Sequence, residues 1–114
     1  MSRMNLEDSK LYDPILVKGV KGDVHSETKA AAWTLDRDAA FLQFYTLTGS
    51  TRIMTLPAVE RGLMFYVFNT SASALDITVN NAAASTVGTI SQNEGALIVS
   101  DGVIWIVSMV GTST

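Results

Sequence analysis

The chain has 114 residues, a formal net charge of −3 and no cysteine. That length suits one domain, or one domain with an arm, and the missing cysteine excludes disulfides and thiolate metal sites. An acidic balance argues against a nucleic-acid partner, which calls for clustered Lys and Arg. No window approaches the roughly 20 apolar residues of a membrane span.

Residues 1–14 read as an extended N-terminal arm. They are mixed and polar, with apolar points at Met4, Leu6, Leu11 and Tyr12, and Asp13-Pro14 biases the backbone to extended geometry. Met1–Asp8 lacks the apolar stretch of a signal peptide, so the product is expected to stay where it is made. Residues 15–114 read as a β domain whose core lies mainly within 40–110. Ile15–Val20 predicts a short strand, and the polar residues 23–30 predict a loop. Ala31–Leu35 is a further candidate strand, in which Trp33 suits a surface anchor or a core plug equally. Phe41–Leu47 and Thr51–Leu56 follow, the second ended by Pro57, because proline cannot donate to a central ladder.

Leu63–Phe68 is apolar on both faces, with Met64, Tyr66 and Phe68 on one side and Leu63, Phe65 and Val67 on the other. Leu75–Val79 alternates, with Leu75, Ile77 and Val79 inward. Ser85–Ile90 is a weaker strand. In the last hairpin two apolar runs flank Asp101-Gly102, a pair suited to a two-residue type I′ turn. Short strands at intervals of roughly ten residues predict an all-β domain, an antiparallel sandwich or barrel-like body of about eight strands.

Charge is unevenly spread. Residues 1–38 hold 13 of the 19 charged side chains, and residues 39–114 hold only Arg52, Glu60, Arg61, Asp76, Glu94 and Asp101. Soluble surfaces usually carry about 25–35% charged residues. Strands apolar on both faces, in a region so poor in charge, predict that an outer face is covered by other copies or a partner, with a surface rich in Ser, Thr and Asn as the alternative reading. Met64, Tyr66, Phe68, Ile104 and Ile106 are the candidate oligomer interface.

The sequence holds little that could support catalysis. His25 is the single histidine and lies in the polar segment, where a solvated role outweighs a Ser-His-Asp arrangement. Asp36-Arg37-Asp38 reads as a solvated turn with a local ion pair rather than a calcium loop, which takes six or more oxygens. Asp76 and Glu94 are the two carboxylates that could pair for glycoside hydrolysis. Phosphate-binding glycine motifs are absent, and Asn69-Thr70-Ser71 reads as a turn. The expectation is no enzyme, no catalytic residue, no metal and no cofactor.

The order Thr55-Leu56-Pro57, Phe65-Tyr66-Val67-Phe68-Asn69, Asp76-Ile77-Thr78-Val79, Thr86–Ile90 and Val99-Ser100-Asp101-Gly102-Val103-Ile104-Trp105 resembles small β-rich virion proteins of tailed phages. The head decoration (cementing) type is the nearest in character, over roughly residues 40–110. The resemblance implies a homotrimer that binds the major capsid protein on the outside of a phage head and stabilises the shell. Such a protein is made in the host cytoplasm and ends in the virion, with no nucleic-acid or membrane partner. The arm would supply the capsid contacts through Met4, Leu6, Leu11, Tyr12 and Ile15. The alternative is a fibre or receptor- or glycan-binding β module of the same kind of particle.

Overall fold

The computed structural model describes residues 22–112, which form β structure with no helix among them. Nine strands follow one another: β1 Val24–Lys29, β2 Trp33–Thr34, β3 Leu42–Leu47, β4 Arg52–Thr55, β5 Met64–Asn69, β6 Ile77–Asn80, β7 Thr86–Ile90, β8 Glu94–Ser100 and β9 Trp105–Thr112. The arm at 1–14, the strand expected at 15–20 and the five capsid anchors lie outside the described residues.

Successive strands alternate between two sheets as far as β6. β1, β3 and β5 run parallel in a five-stranded sheet that β8 and β9 complete as antiparallel strands. β2, β4 and β6 run parallel in a four-stranded sheet that antiparallel β7 completes. Parallel neighbours need a connection of about a dozen residues or more. Here the strand of the opposite sheet is that connection, so the chain winds in coils, as solenoid proteins do. In the larger sheet Val24 pairs with Leu42, and Leu42 in turn with Tyr66. In the smaller sheet Trp33 pairs with Met54, and Arg52 with Ile77. The coils between these partners differ in length.

The all-β expectation holds, with nine strands among the described residues, but the sheets are mixed rather than antiparallel and do not close into a barrel. Two physical reasons account for the difference. Coils of unequal length leave no fixed period to detect, and a short apolar run reads the same in a parallel sheet as in a sandwich core. Residues 23–30, expected as a loop, contain β1: its ladder to β3 holds a strand whose own side chains are mostly exposed.

Side chains between the sheets make the core. Tyr45, Leu47, Phe65, Val67, Ile98 and Trp105 from the larger sheet meet Met54, Leu56, Ile77, Val79 and Ile90 from the smaller, all buried. β7 and β9 meet across the two sheets, where a side chain on Gly88 would stand 2.9 Å from Val107 Cγ1. Trp33 packs against the core, its ring 4.5 Å from that of Tyr45.

The corner after β5 is polar and buried. Asn69 Nδ2 donates to Leu75 O (2.7 Å) and Ile90 O (2.9 Å), while its Oδ1 accepts from the backbone N–H (3.1 Å) and hydroxyl (2.5 Å) of Ser71. Ser71 Oγ in turn accepts from Leu47 N at 2.8 Å. Asn69-Thr70-Ser71 is thus the corner of a coil, with both amide hydrogens of Asn69 engaged.

The last hairpin forms, but not with a two-residue turn. Ser100 pairs with Trp105, which leaves residues 101–104 as the connection. Gly102 has φ +97°, whereas Asp101 is not among the residues with positive φ, so type I′ geometry does not apply. Asp101 Oδ1 accepts from Val103 N (2.8 Å) and Ile104 N (3.0 Å), and this side-chain cap takes the place of the tighter turn. Those bonds, Ile104 first, hold its carboxyl below the usual carboxylate range.

Candidate functional site

The outer face of the five-stranded sheet follows from the alternation of side chains along each strand. On β3, Gln43, Tyr45 and Leu47 are buried, so Leu42, Phe44 and Thr46 face out. On β5, Phe65, Val67 and Asn69 are buried, so Met64, Tyr66 and Phe68 face out. β8 turns Leu97 and Val99 outward, and β9 turns Ile106 and Ser108 outward. The register aligns these side chains into rows: Met64–Val99–Ile106, then Leu42–Tyr66–Leu97–Ser108, then Phe44–Phe68–Gly95. On β1, Val24, Ser26 and Thr28 continue the face beside Leu42, Phe44 and Thr46. No Asp, Glu, Lys, Arg or His belongs to these rows.

Aromatic rings occupy the middle of the face. Phe44 and Phe68 stack at 4.6 Å with planes 6° apart, and Tyr66 stacks on Phe68 at 4.5 Å and 8°. Gly95 leaves room for them: a Cβ there would meet Phe68 Cε1 at 2.7 Å and Tyr66 Cε1 at 3.2 Å. Phe68 thus stacks with both of its aromatic neighbours. Ser26, Glu27, Thr28, Thr46 and Thr70 border the Phe44 side, with the Thr46 and Thr70 hydroxyls hydrogen-bonded at 3.0 Å.

Of the five residues expected at an oligomer interface, Met64, Tyr66, Phe68 and Ile106 stand on this one face. Ile104 lies in the turn just before Trp105, 53% exposed, beside Val103 at 78%. Leu42, Phe44, Leu97 and Val99 were not anticipated. On β3 the amide side chain of Gln43 points inward. Gln43 is buried because its side chain accepts from Tyr45 Oη at 2.6 Å and donates to Ala40 O at 2.6 Å.

Searches against protein-family models, curated proteins and solved structures give no match for this chain.

A second feature lies between β1 and β2, where a cleft of about 310 Å³ opens over Tyr45 and Gln43, with Trp33 on its side. In register, His25, Glu27 and Lys29 occupy the positions that Gln43, Tyr45 and Leu47 hold on the next coil. Glu27 accepts from Lys29 (3.0 Å) and lies 2.9 Å from His25 Nε2, and these partners, Lys29 first, hold its carboxyl below the usual range. Lys29 Nζ also stands 5.3 Å from the Trp33 ring. Trp33 Nε1 is buried and makes no hydrogen bond to the described residues. Burial pushes the Tyr45 phenol up to about 12.

Among the described residues, the hydrogen-bond partner of the His25 side chain in this cleft is the Glu27 carboxylate rather than a hydroxyl. His25 sits on strand β1 and not in a loop. Among the described residues no group of three His, Asp, Glu or Cys side chains could hold a metal ion. Arg37 of the Asp36–Asp38 turn bonds Asp38 and also reaches across to Glu60, donating at 2.9 and 2.7 Å. The Glu94 carboxylate accepts from Ser91 N at 2.8 Å and closes its own turn.

Proposed function

We propose that this chain is a capsid decoration protein of a tailed phage, which binds the outside of the head as a homo-oligomer and stabilises the shell. The observation that carries the reading is the uncharged, apolar outer face of the five-stranded sheet. Proteins that act alone rarely leave so large a continuous apolar surface open, and surfaces of this kind are used for association with other proteins. The phage setting rests on the resemblance of residues 40–110, and the trimeric state is an expectation from the same source. Contacts to the major capsid protein are assigned to the arm, at Met4, Leu6, Leu11, Tyr12 and Ile15. Repeating one arm around a rigid body raises the effective concentration of each contact.

The alternative, a glycan-binding fibre module, wants aromatic rings whose faces are free to stack on a sugar. The stacking of Phe68 with Phe44 and Tyr66 argues against these rings in that role. Co-sedimentation with empty heads from the parent phage tests the reading. Saturable, stoichiometric binding that also raises the temperature of shell disruption is expected. Failure to bind, together with specific retention on a glycan array, would replace it with the fibre reading.

A further inference from the structure

We propose that the outer face of the five-stranded sheet is where one copy of this chain docks on another. This rests on the homo-oligomeric part of the proposed function and names its surface.

The first ground is charge. In a closed symmetric assembly a charged group near the axis faces its own copy, and like charges in contact are costly. The three rows across β3, β5, β8 and β9 contain only apolar, aromatic, hydroxyl and glycine positions. A face without charged groups meets itself with no such penalty, and it gives a charged partner nothing to pair with.

The second ground is area. Five strands at about 4.8 Å and rows spanning about 20 Å give roughly 480 Å² in projection. Two copies then present at most about 1,000 Å² before side-chain relief is counted, which is the lower limit for a specific interface. The third ground is layout. Met64 (45% exposed) and Ile106 (47%) bracket the half-buried Val99, the rings lie at the centre, and serine and threonine hydroxyls lie at the rim. Apolar and aromatic side chains with a mostly hydroxyl border, where Glu27 is the one carboxylate on the Phe44 side, match the anatomy of a protein–protein interface. The smaller sheet differs: its outer face carries Thr34, Thr55, Thr78 and Thr89 around the single apolar Ile53.

Sedimentation equilibrium on the full chain tests the assignment, comparing wild type with Ile106→Asp, Met64→Asp and, on the opposite sheet, Ile53→Asp. Wild type and Ile53→Asp should be multimers of equal mass. Ile106→Asp and Met64→Asp should associate at least a hundredfold more weakly, since each would place an unpaired carboxylate in an apolar contact. Near-UV circular dichroism establishes that each variant is folded. If an Asp variant does not fold, the near-isosteric Val99→Thr takes its place and should weaken association at least tenfold. A multimeric wild type whose mass none of the outer-face variants changes overturns the face and leaves the homo-oligomeric reading standing. A wild type monomeric at tens of micromolar overturns both, and binding of that monomer to lipid vesicles would identify a membrane as the occupant.

Discussion

Asn69 at the end of β5 donates to the carbonyl of Ile90 at the end of β7, 2.9 Å away, and so ties one sheet to the other. Its second amide hydrogen goes to Leu75 O, and Ser71 fills its oxygen. Removing this side chain takes its donor from the buried Ile90 carbonyl and from the Leu75 carbonyl. Each unsatisfied group costs about 1–3 kcal/mol. Asn69→Ala should therefore lose about 3 kcal/mol or more, a drop of roughly 10 °C or more in melting temperature for a chain of this size. Asn69→Leu restores volume without donors and should be nearly as damaging. Chemical denaturation of both variants checks it: a loss confined to Asn69→Ala would mean packing, not hydrogen bonding, holds the corner.

How much of this was legible in the sequence can be judged at the same corner. The turn at Asn69–Ser71 could be read from residue types, and the strand on either side from apolar pattern. That Ile90, at the far end of β7, supplies the acceptor could not. Which strands become neighbours depends on how the coils stack, and coils of unequal length carry no repeated motif. The outer face was legible where alternation is strict, at Met64, Tyr66 and Phe68. It was hidden on β3, because Gln43 satisfies its amide inside the core and so reverses the apparent polarity of the strand. Trp33, readable either way, sits half-buried at the core's edge, because only the packing of β2 over Tyr45 decides its place.

Gly88 on β7 lies directly against Val107 on β9 in the other sheet. A Cβ there would stand 2.9 Å from Val107 Cγ1 and 3.0 Å from its Cβ, and a β-branched side chain on a paired strand has little freedom to move. Gly88→Ala should cost about 1–3 kcal/mol through overpacking. Shortening the partner relieves the clash, so Gly88→Ala with Val107→Ala should be less destabilised than the sum of the single changes. A double-mutant cycle reads this coupling directly. Additive effects would show that the sheets do not meet at this pair.

Tyr45 links the core to alkaline stability. Its phenol is buried, donates to Gln43 Oε1, and is pushed up to about 12, against about 10 in an unfolded chain. The folded chain thus keeps a proton that the unfolded chain gives up. This contribution is complete below pH 10 and is lost as pH rises from about 10 through 12. Denaturation midpoints measured from pH 8 to pH 12 should fall more steeply for wild type than for Tyr45→Phe. At pH 8 the variant should be less stable by about 1–2 kcal/mol, since Gln43 loses its donor. Equal slopes in the two proteins would place the phenol in water.

Asp101 works in the opposite direction. Its ionised carboxylate accepts the Ile104 and Val103 amides, and these bonds hold it below the usual range. A lowered folded pKa means that the stabilisation is present above the ordinary aspartate range. It is lost as pH falls through the lower, folded value. Wild type should therefore lose hairpin stability on acidification, read as lower amide protection factors, relative to intrinsic rates at the same pH, at Val103 and Ile104. Asp101→Asn keeps a side-chain oxygen for both amides but cannot titrate, so its exchange, corrected for intrinsic rates, should be less sensitive to acid. Asp101→Ala should exchange quickly at every pH. If Asp101→Ala protects these amides as well as wild type at neutral pH, the β8–β9 ladder alone sets the turn and the carboxylate is incidental to it.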